Sequence, residues 1–151
     1  MYENEIEKIK NEYGLGDIVV IEAALSLDKS CSCKYGGVGF IGIDSDRVGS
    51  VAELRSLILH EAGHIREGAF YALGAASIER KKAERLAIAW AVKNCIPFEQ
   101  YLDAIRDGVR DVYQLAERFN ITVESARKTV EYYSGRLLEY ISLAMVGGHA
   151  L

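Results

Sequence analysis

An α+β fold is the class this sequence predicts: a small antiparallel hairpin packed on a mostly helical core, with further helices on the C-terminal side. Two observations carry the prediction. β-Branched and glycine-spaced apolar segments are confined to the first third of the chain, and from Ser50 onward apolar residues recur at helical spacing. With 151 residues, half of them hydrophobic, the chain can bury a real core in one compact unit. Residues 1–97 are expected to form the main body and residues 98–140 a C-terminal helical subdomain of the same unit.

Residues 3–13 suit a short amphipathic helix with Ile6 and Ile9 inward, ended by Gly14 and Gly16. Ile18-Val19-Val20-Ile21 is a β-branched run that reads as a buried strand or a strand leading into a turn. Cys31 to Asp44 alternates small and apolar residues, so it predicts a hairpin turning at Gly36-Gly37, with Phe40, Ile41 and Ile43 in its second strand. These glycines match no phosphate-binding loop, because neither G-x-G-x-x-G nor G-K-[ST] leads into a helix. Ser50 then caps a helix running to about Arg66, with Glu53 as the reciprocal capping-box residue. Gly68 to Gly74 connects to a long helix over 77–95, closed by Pro97. Shorter helices are expected over 98–107, 111–119 and 122–140, with Gly147-Gly148-His149 as a loose tail.

Charge and composition narrow the function classes. A formal net charge of −4 gives no overall attraction to nucleic acid or acidic membranes. No apolar stretch reaches the roughly 18 residues that span a bilayer. The acidic start Met1-Tyr2-Glu3-Asn4-Glu5 lacks the basic-then-apolar form of a secretory signal, so a cytoplasmic protein is expected. Three cysteines fit a reducing compartment. Cys31 and Cys33 form a C-x-C pair with no second pair downstream, which favours an ordinary reduced strand pair over a metal or redox site, and Cys95 is placed in the core of a helix.

The chemistry-bearing feature is His60-Glu61-Ala62-Gly63-His64, an H-E-x-x-H motif inside the apolar run Leu57-Ile58-Leu59. Histidines four apart lie one helical turn apart on one face, so both imidazoles can reach one metal ion. The glutamate after the first histidine sits close enough to act on a metal-bound water, the arrangement of zinc-dependent peptidases. The alternative is a surface helix with satisfied histidines. Against it, the motif takes two of the three histidines in the chain, and Leu54, Leu57 and Ile58 put it on the buried side.

A catalytic zinc keeps three protein ligands and one water position. A histidine ten positions after the first would complete the elongated motif, but position 70 is Phe and the remaining histidine is His149. A glutamate on the next helix is therefore expected. Glu84 shares a small, apolar face with Ala87, Ile88 and Ala91, where a lone carboxylate is costly to bury unless paired or metal-bound. Glu79 stands in the charged run Glu79-Arg80-Lys81-Lys82 and is the less favoured candidate.

With these residues in view, the chain resembles the ImmA/IrrE family, whose pattern is H-E-x-G-H followed by a helix with E-x-x-A-x-x-[FW]-A and an apolar-Pro step. Glu84, Ala87, Trp90, Ala91, Ile96 and Pro97 read that second motif. Leu115-Ala116-Glu117-Arg118-Phe119-Asn120-Ile121 resembles the family's L-A-x-x-F-x-V segment, followed by a helix containing Tyr132-Tyr133, and the likeness spans roughly 15–135. Many members carry a bulky residue where this chain has Ala62, a difference without cost to the chemistry. The resemblance implies a gluzincin-like, zincin-type core. It implies Zn2+ held by His60, His64 and Glu84, with Glu61 as catalytic base. It also implies a protease that inactivates a DNA-binding repressor and so induces a phage, a mobile element or a stress regulon.

Tyr71, Tyr132 and Tyr133 are the candidate donors to an oxyanion, and the strand Gly39–Ile43 is a candidate edge for holding an extended peptide. Two other function classes compete. A catalytically silent relative would keep the metal and act by binding a partner. A DNA-binding regulator would use the helix-turn-helix cadence of Val112–Tyr133, but Arg118, Arg127 and Lys128 are balanced there by Glu117, Glu124 and Glu131, so no direct contact with nucleic acid is expected.

Overall fold

The computed structural model describes residues 1–146, and the tail with His149 lies outside the described residues. The elements run α1 (Glu3–Glu12), β1 (Ile18–Glu22), β2 (Ser30–Tyr35), β3 (Val38–Ile43), a 3₁₀ turn at Ser45–Arg47, α2 (Val51–Glu67), α3 (Ser77–Cys95), α4 (Phe98–Arg106), α5 (Val112–Phe119) and α6 (Val123–Val146). The class is α+β, as expected, and α6 continues past the expected end at residue 140. Among the described residues, no helix is long and apolar enough to cross a membrane.

The sheet is larger than the hairpin alone. β2 and β3 pair antiparallel about the Gly36-Gly37 turn, where both glycines take positive φ, 59° and 80°, as a two-residue hairpin turn requires. β1 adds in parallel to the far side of β3, giving the order β1-β3-β2 and a mixed sheet. β1 is therefore an edge strand with one buried face. Ile18 is covered, while Val19 and Ile21 remain exposed on the outer side of the sheet.

The expectation that Gly39–Ile43 offers a free edge is corrected by this topology. β3 is the central strand, and its backbone groups are taken on both sides. The free edge next to the helical layer belongs to β2.

Helix α2 lies across the inner face of the sheet. Its N-cap Ser50 accepts the Glu53 N–H at 3.1 Å, as the capping pattern predicts. The Glu53 carboxylate reaches the Gly49 N–H at 2.8 Å, one residue before the cap, and also takes the Lys29 ammonium from the start of β2. Ile58, Ala62 and Ile65 of α2 join Ile6, Ile9, Ile18, Ile41 and Ile43 in one core. A second core gathers the end of α3 with α4, α5 and α6, around Ile96, Phe98, Leu115 and Tyr133. Helix α3 spans both cores and carries its Glu84-bearing half along α2.

Candidate metal centre

The site begins with a close helix crossing. A Cβ added to Gly63 would stand 2.5 Å from the carbonyl oxygen of Ala87 and 3.0 Å from its Cα, so only glycine lets the backbones of α2 and α3 meet here. Ala83 and Ala87, four apart on α3 and both buried, share the face that meets this crossing. One helical turn from this contact, Glu84 of α3 faces His60 and His64 of α2.

The three side chains converge on one point. Nε2 of His60 and Nε2 of His64 are 3.2 Å apart, and the Glu84 oxygens stand 2.9 Å from the first and 3.3 Å from the second. Two nitrogens bound at about 2.0–2.1 Å to a tetrahedral zinc stand about 3.3–3.4 Å apart, so the spacing fits a shared ion. The tautomer fits as well. Nδ1 of His64 lies 2.6 Å from the Ala69 carbonyl, an acceptor, so Nδ1 carries the proton and the Nε2 lone pair is left for a metal. Burial holds the His60 pKa below its ordinary value, with Glu84 and Glu61 pulling the other way, and this favours the neutral ring that a metal needs. His60, His64 and Glu84 are the group of potential metal ligands among the described residues, and Glu79 lies exposed in the first turn of α3, outside it.

Glu61 is buried beside the triad and held from the sheet. Ser30 and Ser32 of β2 donate their hydroxyls to its two carboxylate oxygens at 2.7 and 2.6 Å. Sequence reading passed over both serines. Their alternate positions on one strand put them on one face, but the partner lies about thirty residues away, and a hydroxyl in a loop-strand segment carries no signal of its own.

The candidate oxyanion donors separate. The Tyr71 hydroxyl donates to Glu84 at 3.0 Å, and its ring meets His64 edge-on. Burial first, and then that bond to Glu84, raise its pKa, so it remains a protonated donor. Tyr133 is withdrawn as a candidate: it sits in the C-terminal core, stacked on Tyr101, with its hydroxyl donating to the Ile96 carbonyl at 2.7 Å. Burial pushes its pKa up to about 12. Tyr132 packs edge-on against Tyr133 and lines no part of the cleft, so it too is withdrawn.

Cys31 and Cys33 occupy the opposite face of β2 from the two serines and are exposed free thiols. Cys95 is the last residue of α3, half-buried against the Tyr13 hydroxyl rather than central in the helix, and burial pushes its thiol up to about 11.

A cleft of about 420 Å³ runs between the β2 edge and the two helices, lined by Ser30, Ser32, His60, Glu61, Tyr71 and Glu84 among others. No curated protein and no solved structure matches the chain. A family profile does: the peptidase family described as IrrE N-terminal-like domain matches residues 45–131, from the 3₁₀ turn before α2 into α6, and so covers the metal triad. A match over more than half of the chain, with these ligands inside it, makes the protein a member of the IrrE N-terminal-like peptidase family.

Proposed function

We propose that the protein is a zinc-dependent endopeptidase of gluzincin type that cleaves a DNA-binding repressor of the helix-turn-helix kind, acting in the cytoplasm to induce a phage, mobile element or stress regulon. The observation that carries the proposal is the convergence of His60, His64 and Glu84 at ligand distances with Glu61 beside them, in an open cleft. Zinc held there supplies Lewis-acid activation of a water and of the scissile carbonyl.

The protein's own groups do the rest. Ser30 and Ser32 fix the Glu61 carboxylate, and each of its oxygens keeps a lone pair to accept a proton from the attacking water. Glu61 then returns that proton to the leaving amine. The Tyr71 hydroxyl, whose single proton is donated to Glu84, would serve the developing oxyanion only by releasing that bond. An extended substrate runs along β2: the two-residue turn makes Tyr35 and Val38 a hydrogen-bonded pair, so by alternation the backbone groups of Ser30, Ser32 and Lys34 face outward.

A DNA-binding role is disfavoured by how α5 and α6 are used. The α5–α6 turn docks on α2, with Thr122 N–H donating to Ser56 Oγ at 3.1 Å and Arg55 donating to the Asn120 carbonyl at 3.2 Å. Arg118 is paired with Asp107 and Lys128 with Glu124, so the basic residues of the segment are largely neutralised.

The test is co-incubation of the zinc-loaded protein with repressors encoded beside it. Specific cleavage that disappears in Glu61→Gln, with zinc content kept, is the expected result. Stable binding of the repressor without cleavage would replace the proposal with a catalytically silent partner-binding regulator.

A further inference from the structure

Strand β2 carries reactive groups on both of its faces. Ser30 and Ser32 reach inward to Glu61, while Cys31 and Cys33, alternating with them, stand on the outer face as exposed free thiols. That face is open, and Val19 and Ile21 of β1 are exposed on it as well. Cys31 pairs across the sheet with Gly42, and Cys33 with Phe40. The glycine makes room for sulfur: a Cβ at Gly42 would stand 3.0 Å from Cys31 Sγ, so the thiol lies over the bare backbone of β3, beside Leu25. No third Cys, His, Asp or Glu joins the two thiols among the described residues. The one such group of three or more is His60, His64 and Glu84, on the inner side of the sheet.

We propose that Cys31 and Cys33 form a site for one thiophilic, two-coordinate ion, monovalent copper in kind, separate from the zinc centre. Ligand type and number select the ion. Thiolates favour monovalent copper, zinc and iron–sulfur clusters, but zinc takes three or four protein ligands and the clusters four, which two thiols cannot supply. Spacing separates an ion from a disulfide. Residues two apart on an extended strand have Cα atoms about 6.4–6.8 Å apart, the outer limit for a disulfide, whose usual span is about 5.5–6 Å. An S–S bond would therefore shorten β2 against its ladder with β3 and against the two serine contacts to Glu61. Two metal–sulfur bonds of about 2.3 Å each bridge the thiols with the strand left extended. The state of the thiol agrees. Burial first raises the Cys31 pKa, so little of it is the thiolate that attacks a peroxide or disulfide, whereas a thiophilic ion displaces the proton as it binds. C-x-C spacing alone favours an ordinary reduced pair; exposure on one face, a glycine opposite and no third ligand are what give this pair its chemistry.

The test is titration of the whole chain, reduced and supplied with zinc, with monovalent copper under inert gas, read by competition with a chelating dye specific for that ion. The wild type should take up about one copper per chain and release no zinc. Uptake should be lost in Cys31→Ser and in Cys33→Ser alike, because neither thiol holds the ion by itself, and kept in Cys95→Ser. Far-ultraviolet circular dichroism reports that each variant is folded. Uptake that survives in the double serine variant, or that either thiol sustains alone, overturns the two-thiol site. Release of zinc as copper binds places the ion between α2 and α3 and overturns it too. A wild-type protein whose thiols are reduced and which takes up no copper overturns it outright, and ready formation of a Cys31–Cys33 disulfide in that protein would make the pair a redox couple instead.

Discussion

Two serine hydroxyls and a tyrosine hydroxyl position the chemistry that the H-E-x-x-H motif announces. Ser30 and Ser32 occupy both oxygens of Glu61, which removes the freedom of a carboxylate that would otherwise rotate about its terminal torsions. Groups of this kind, one contact removed from the reacting atoms, typically contribute about 10–100-fold to activity or metal affinity. Replacing both serines with alanine should therefore lower kcat by about that factor with little change in KM and no loss of zinc, and threonine at both positions, which keeps the hydroxyls, should restore most of it. Full activity in the double alanine variant would show the contacts to be idle. Tyr71 acts on the other side, through Glu84. Tyr71→Phe should weaken zinc affinity about tenfold, measured by competition with a chelating dye, and an unchanged affinity would remove Tyr71 from the ligand's support.

At the scale of elements, the site is made by how close two helices come. Gly63 faces the backbone of Ala87, and no rotamer change can make room for a methyl group against a carbonyl oxygen. Gly63→Ala should push α3 away from α2, cost about 1–3 kcal/mol in urea unfolding, and carry Glu84 out of reach so that zinc stoichiometry falls well below one. A variant with normal stability and full zinc would contradict this account of the crossing. The start of the sheet is tied to α2 by a different device. Arg66, near the end of α2, donates to both oxygens of Asp17 at 2.6 and 2.7 Å, and this hydrogen-bonded pairing holds the Asp17 carboxyl down to about 2. Since that value lies below the ordinary aspartate range near 4, the pair stabilises the fold fully above about pH 4 and loses its effect as the pH falls toward 2. Asp17 is largely exposed, so the contribution should be under about 1 kcal/mol. The stability difference between wild type and Asp17→Asn should thus be small at pH 6 and vanish near pH 2; a difference that persists undiminished in acid would assign it to packing instead.

Over the whole molecule, what could be read in advance was what is local. Helical spacing placed His60 and His64 on one face, and the alanine seam of α3 singled out Glu84 from Glu79, because both inferences use a period of about 3.6 residues and the cost of burying a charge. Contacts between distant segments left no such trace. The parallel pairing of β1 with β3 and the serines under Glu61 depend on chain crossings that periodicity does not encode. Tyrosine misled for a further reason: the same ring and hydroxyl serve a core as readily as a site, and Tyr133 turned out to spend its hydroxyl on the Ile96 carbonyl. The arrangement of the molecule, a sheet edge on one side of the triad and a helical wall on the other, follows from α3 belonging to both cores at once. The claim on which everything else stands is that α2 and α3 together hold a metal. Elemental analysis of the purified protein, beside Glu84→Ala and Glu79→Ala, tests it most directly. About one zinc per chain in the wild type, lost in Glu84→Ala and kept in Glu79→Ala, is the predicted result; a wild-type protein that holds no metal after zinc is supplied would contradict it.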